Sequence, residues 1–250
     1  MQYLFPILVG FLFNCSATQT PKPVAPSAQK SGPNVEDILD RAAAARLEGI
    51  NQEDLKTVAM KGVIQMPQGM TAQFQALAKD GSKYNLSTEV AGMKVELISD
   101  GKDVYENNPM IGPRLLQGEE LAYNLNEANF KRDINWRQNY TSYQLLGEES
   151  INGRSAYKIL LTTKEGFEVT NFYDKENYQV LRADMVVKGE MGTIPTIMYF
   201  SNYENVNGLV MPKTTTTEVM SHKMVMQVQE VTVNGEIPDE SFSIPAEMKQ

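Results

Sequence analysis

From about residue 141 to residue 243 the chain alternates apolar and polar positions in short runs separated by turn dipeptides. Few architectures accommodate such a stretch. Within residues 179–187, Leu181, Ala183, Met185 and Val187 share one parity, and Arg182 and Asp184 share the other. Side chains on a strand alternate faces with period two, so this run predicts a strand buried on one side and wet on the other. Residues 167–170 and 93–97 repeat the pattern. Asn152-Gly153, Asn207-Gly208 and Asn234-Gly235 punctuate the later runs, and Asp80-Gly81 and Asp100-Gly101 punctuate earlier ones. These pairs accept positive φ and reverse a chain tightly, so the expected arrangement is an antiparallel meander.

Ahead of this run, residues 34–46 predict a helix. Asn34 supplies an N-cap, acidic residues fill the first turn, Val35, Ile38, Leu39 and Ala42 share a face, and Gly49 ends it. Strands are expected at 58–66, 71–79, 83–89 and 93–99. A proline-broken loop is expected at 107–114, then a second helix over about 118–131 with Leu121, Leu125 and Ala128 at helical spacing. Pro238 and Pro245 close the meander.

A formal net charge of −8 argues against nucleic acid, whose phosphates demand basic patches. Cys15 and His222 are the only residues of their types, so neither an intrachain disulfide nor a Cys/His metal cluster can form. His222 has no partner in the sequence that marks it as a base. Glu119-Glu120 and Glu148-Glu149 are adjacent pairs, which point in different directions on a helix or strand and suit a solvated surface. No phosphate loop, nucleophile elbow or zinc-protease motif is present. The expectation is a chain that is no enzyme and needs neither cofactor nor metal. Trp136, Tyr140 and Tyr143 are expected to anchor the junction of helix and sheet.

Residues 1–13 are apolar and uncharged, too few to span a bilayer as a helix, which takes about 20 residues. Their length suits the apolar core of a signal peptide. Cys15 follows, and then a Pro/Ser/Ala/Thr-rich stretch unable to bury enough apolar area to offset the entropy of ordering. Leu12-Phe13-Asn14-Cys15 resembles the bacterial lipoprotein signal, matching it at Leu12 and Cys15 and departing at Asn14. The resemblance implies a signal peptide at 1–14, lipidation of Cys15, a flexible linker at 15–33 and a single domain at 34–250. It further implies a lipid anchor in the bacterial outer membrane, with the domain facing the periplasm or the cell surface. A plain signal peptide with an incidental cysteine, or a tail-less membrane anchor, is the alternative.

The element order, together with four phrases, resembles the LolA/LolB-like family of outer-membrane lipoprotein-sorting proteins. The phrases begin at Gly147-Glu-Glu-Ser-Ile-Asn-Gly-Arg, Phe172-Tyr-Asp-Lys-Glu-Asn, Tyr203-Glu-Asn-Val-Asn-Gly and Val233-Asn-Gly-Glu-Ile-Pro. The resemblance implies a mainly β (α+β) fold. In it a strongly curved antiparallel half-barrel, here of about eleven strands, has two or three helices lidding its concave face. It also implies that acyl chains of a lipid or lipoprotein bind under the lid. The receptor branch of that family carries a protruding apolar residue between its third and fourth strands. The matching link here is the short Val90-Ala91-Gly92, which points to a carrier, sorting or sensing role instead.

The candidate binding face is then Met60, Ile64, Phe74, Leu86, Val95, Leu97, Leu181, Met185, Met198 and Phe200. The 14 methionines suit a surface that accepts varied hydrocarbon shapes. Two readings stay open. The face lines a ligand cavity, or it is the self-filled core of a structural lipoprotein that shows its convex face and the 107–114 loop to an envelope protein partner.

Overall fold

The alternation read from the sequence is realised as one sheet. The computed structural model describes residues 33–189, 192–220 and 222–248, so Cys15, the signal segment and nearly all of the linker lie outside the described residues. Helix α1 (Val35–Ala45) leads into strands β1 (Thr57–Gln65), β2 (Thr71–Lys79), β3 (Lys83–Val90), β4 (Met93–Asp100), β5 (Val104–Asn108) and β6 (Gly112–Leu115). Helices α2 (Gly118–Ala128) and α3 (Trp136–Asn139) follow. Strands β7 (Tyr140–Ile151), β8 (Arg154–Thr163), β9 (Glu168–Asp174), β10 (Val180–Gly189), β11 (Gly192–Val206), β12 (Leu209–Val219) and β13 (His222–Val233) complete the chain. All 13 strands form one open antiparallel sheet in the order β6-β5-β4-β3-β2-β1-β13-β12-β11-β10-β9-β8-β7.

Local chemistry explains most of these boundaries. The Asn34 side chain accepts the Glu36 backbone N–H at 3.1 Å, satisfying one open donor of α1, and Ile38, Leu39 and Ala42 face the sheet. Asn152-Gly153 and Asn207-Gly208 adopt positive φ at both residues, as two-residue hairpins require. At Asp100 the carboxylate instead accepts the backbone N–H groups of Lys102 and Asp103, closing a longer turn. Asn234-Gly235 makes no hairpin. It ends β13, and its carbonyl and amide oxygens fasten Lys56 and Thr57 at the start of β1.

Three expectations need correction. The strands number thirteen rather than about eleven. The 107–114 segment is no loop but the β5–β6 hairpin, in which Pro113 pairs with Asn107. Proline is tolerated there because β6 is an edge strand whose outer side has no ladder to complete. The first helix falls within the expected 34–46, but the second stops at Ala128 rather than near residue 131.

The largest apolar cluster fills the concave face, joining α1 and α2 to nearly every strand. Segment 129–139 adds Phe130, Ile134 and Trp136 to this layer. The Lys164 N–H donates to the Asn139 carbonyl at 3.2 Å, and Asn129 donates to the Asn139 side chain. On the convex side the C-terminal segment crosses β2–β4: Lys79 donates to the Ile237 carbonyl and Asn85 to the Ser241 carbonyl, while Phe242 is buried. No helix among the described residues is long and apolar enough to cross a membrane.

Candidate functional site

Eight of the ten candidate residues, Met60, Ile64, Phe74, Leu86, Leu97, Met185, Met198 and Phe200, lie in the single concave cluster. Period-two alternation puts them there. Val95 has the parity of Leu97 but is only half-buried. Leu181 is elsewhere. The β9–β10 pairing runs from Val180↔Tyr173 directly to Arg182↔Phe172, so Leu181 is the extra residue of a β-bulge. It packs with Ile151, Ala156 and Phe172 in a second cluster. Beyond the bulge Ala183, Met185 and Val187 join the concave cluster, while Arg182 and Asp184 pair with each other at 2.6 and 2.7 Å. The Arg182 guanidinium lies 4.8 Å above the Phe172 ring, so a shelf of aromatic and cation covers the outer face there.

The lid over the concave face is held by α2 and α1. Tyr123 on α2 sets its hydroxyl 3.9 Å from the Met185 sulfur and meets the Phe167 ring edge-on at 5.4 Å. Trp136 donates to Asp40 of α1 at 3.1 Å and meets Tyr143 edge-on, while the Tyr143 hydroxyl donates to Glu36 at 2.8 Å. Trp136 and Tyr143 therefore anchor α1 to the sheet as the sequence suggests, while the Tyr140 hydroxyl turns to Asp133.

Beneath α1 lies a feature that the sequence did not disclose: a buried group of charges. Arg132 donates to Glu127 at 2.5 Å and to Asp133, and Asp133 also accepts the Tyr140 hydroxyl at 2.6 Å and faces Arg46 at 3.8 Å. Burial opposes ionisation of Asp133, but Arg132, Arg46 and the Tyr140 hydroxyl together hold its carboxyl below the usual carboxylate range. Burial dominates at Glu127 and pushes its carboxyl up, with Arg132 opposing. The one available signal was spacing. Glu127 follows the apolar stripe of Leu121, Leu125 and Ala128 closely enough to face the core, where a charge needs a partner.

Among the described residues, two gaps of about 20 Å³ each open on the covered face, each with room for little more than one water molecule. The first is walled by Leu39, Trp136, Tyr173 and Tyr203, the second by Val58, Phe130, Met211 and Met226. Arg46 lines both. Of the ten candidates only Met60 borders either gap. Pockets that enclose a drug-sized ligand run to about 300–1,000 Å³, so neither gap as it stands encloses an acyl chain. No cluster of His, Cys, Asp and Glu suited to a metal occurs among the described residues.

Comparisons with known proteins agree with this architecture. A family profile described as "-like: Uncharacterized protein" matches residues 116–249, just over half of the chain. No curated protein matches. Among solved structures, a DUF1329-family protein from Desulfovibrio piger superposes with a TM-score of 0.58 at 17% identity, covering 84% of this chain and 97% of its own. A LolA superfamily protein from Nitrosomonas europaea gives 0.56 at 19% identity, covering 85% and 99%. An outer-membrane lipoprotein-sorting protein domain from Vibrio parahaemolyticus gives 0.54 at 14%, covering 84% and 97%. The fold is LolA-like.

Proposed function

We propose, for a chain that belongs to the family whose profile matches residues 116–249, a lipid-anchored envelope protein that takes up acyl chains beneath a movable lid. The observation that carries this reading is the concave face itself. A continuous apolar surface, rich in methionine, is covered not by a second sheet but by separate short helices. Those helices are fastened partly through buried ion pairs. Such pairs contribute little net stability, because desolvation offsets their attraction. A lid so fastened loses less on opening to water than one held by apolar area alone. The likeness to a LolA superfamily protein and a lipoprotein-sorting domain supports a carrier-type role. Cys15 would hold the protein at the outer membrane, with signal segment 1–14, linker 15–33 and domain 34–250. No catalytic step is proposed.

The small residual gaps favour a second reading, in which the face is a finished core and the protein is structural or binds an envelope partner. One experiment separates them. A fluorescent fatty acid is titrated into the parent protein, into Met198→Trp and Met185→Trp, and into an exposed control, Lys61→Ala. The carrier reading expects saturable binding by parent and control, and folded Trp variants that no longer bind. Overpacking a finished core costs about 1–3 kcal/mol, so destabilised Trp variants and a parent that binds no probe would establish the second reading.

A further inference from the structure

The concave face is not uniformly apolar. Across strands β3–β5 the paired rows run Tyr84 to Ser99 to Val104, Leu86 to Leu97 to Glu106, and Thr88 to Val95. Tyr84, Thr88, Ser99 and Glu106 are all buried there, beside Leu86 and Leu97 of the apolar cluster. Helix α2 is fastened over this wing, because Glu120 accepts two hydrogen bonds from Arg114 of β6, at 2.9 and 2.7 Å. Asn124 follows one turn later and donates to the Glu120 carbonyl at 2.8 Å. Several of these polar groups have partners: Glu106 accepts from Arg114 at 2.7 Å, and the Ser99 hydroxyl accepts the Gly101 N–H at 3.1 Å. Three atoms have none among the described residues, namely the Tyr84 hydroxyl, the Thr88 hydroxyl and the Asn124 amide oxygen. Their residues are 1%, 4% and 5% exposed. Buried polar atoms are nearly always paired, since burial strips the water that would otherwise satisfy them. The Thr217 hydroxyl is buried in the same state, but it stands on the other wing between Met198 and Met224.

We infer that the ligand beneath the lid is an uncharged amphiphile with free hydroxyls, of the monoacylglycerol class, its head on Tyr84 and Asn124 and its chain along the apolar cluster. The inference rests on the acyl-binding reading above and names the class of ligand. An amide oxygen only accepts, so the ligand must bring a donor to Asn124, whereas the Tyr84 and Thr88 hydroxyls donate or accept. Burial, with the Glu106 carboxylate adding, pushes the Tyr84 hydroxyl up, so it keeps its proton. A glycerol head supplies O–H donors and an ester carbonyl that accepts. Thr88 lies four residues along the same strand face, about 13 Å from Tyr84, on the path of the ester and the chain. A carboxylate head supplies acceptors alone and brings a charge. Among the described residues of β3–β6 the one buried charge is already an acid, Glu106, and Arg114 is engaged by Glu106 and Glu120. An anionic head would add a charge of the same sign in a place where burial penalises it.

The test uses the full chain carrying Cys15→Ser, which keeps attached lipid out of the measurement. It is titrated calorimetrically at pH 7 with 1-monolauroylglycerol and with lauric acid, each below its micellar concentration. Tyr84→Phe and Thr88→Val each remove one unpartnered hydroxyl and keep the shape, so their urea midpoints should stay at or above the parent's. The inference expects the parent to bind the monoglyceride about tenfold more tightly than the acid. It expects Tyr84→Phe to lose about tenfold on the monoglyceride and nothing on the acid, with Thr88→Val losing less on the monoglyceride alone. Equal affinity for the two ligands, or a Tyr84→Phe loss that is the same on both, would overturn the inference and leave the acyl-binding reading standing. Substitutions that lower the urea midpoint and leave both affinities unchanged would give the hydroxyls a buried water as partner and overturn it equally. A folded parent that binds neither ligand would overturn the acyl-binding reading and the inference with it.

Discussion

Replacing Asp133 by Asn tests whether the buried charges fasten the lid. The Asp133 side chain is 15% exposed and stands between Arg46 and Arg132, with its carboxylate on the Tyr140 hydroxyl. Asn keeps the shape and an acceptor for Tyr140 but removes the negative charge that the two guanidinium groups share. Removing one partner of a buried pair costs about 3–5 kcal/mol when the other is left uncompensated. Arg132 keeps Glu127 at 2.5 Å, so the expected loss at pH 7 is smaller, about 2 kcal/mol. The carboxyl of Asp133 is held below its unfolded value of about 3.9. Its contribution is therefore complete above that value and is lost as pH falls through the lower, folded value. Urea unfolding of parent and variant from pH 7 downward should show a constant gap that closes in acid. Glu127, raised by burial, has the opposite sign, so Glu127→Gln should gain on the parent as pH rises. An Asp133→Asn gap that is absent at pH 7, or that widens in acid, would refute the reasoning.

Gly62 sits at a register shift between β1 and β13, where an added Cβ would overlap the Gln227 carbonyl oxygen and stand 2.8 Å from the Phe74 ring. Gly62→Ala should cost about 3 kcal/mol or more in urea unfolding, and an unchanged midpoint would mean that the strands do not approach so closely. Glu106 is buried and paired with Arg114 at 2.6 Å, and burial raises its carboxyl despite that partner. Arg114→Leu should therefore cost about 3 kcal/mol at neutral pH and less in mild acid, where Glu106 takes up a proton; a pH-independent loss would assign Arg114 a packing role only. Cys15→Ser should release the protein from membranes in cell fractionation, and retention would remove the anchor.

Much of the fold was legible because its turns are local chemistry. Asn152-Gly153 and Asp80-Gly81 announce hairpins wherever they stand, and β2 was bounded correctly at 71–79 from alternation alone. What failed was non-local. Pro113 reads as a breaker until β6 is known to lie at the sheet edge, where no outer ladder exists. Leu181 reads as concave until the extra residue of the bulge is seen, because a bulge shifts parity without leaving a sequence mark. Eight of the ten residues of the candidate face share one apolar cluster, because alternation fixes which side of a strand they occupy. The size of the gap beneath the lid could not be read, since it depends on how Trp136, Tyr173 and Tyr203 pack around α1. Arg46 is far in sequence from Glu127, Arg132 and Asp133, and only the tertiary fold brings it to them.

The measurement that bears most directly on the account is organic extraction and mass spectrometry of the mature protein, purified from its native membrane without added lipid. The carrier reading predicts an acyl-bearing molecule released by solvent at up to one equivalent per chain, distinct from lipid attached covalently at Cys15. It also predicts that Met198→Trp, still folded, releases none. A parent protein that yields no extractable lipid and binds no fatty-acid probe while folded would contradict it.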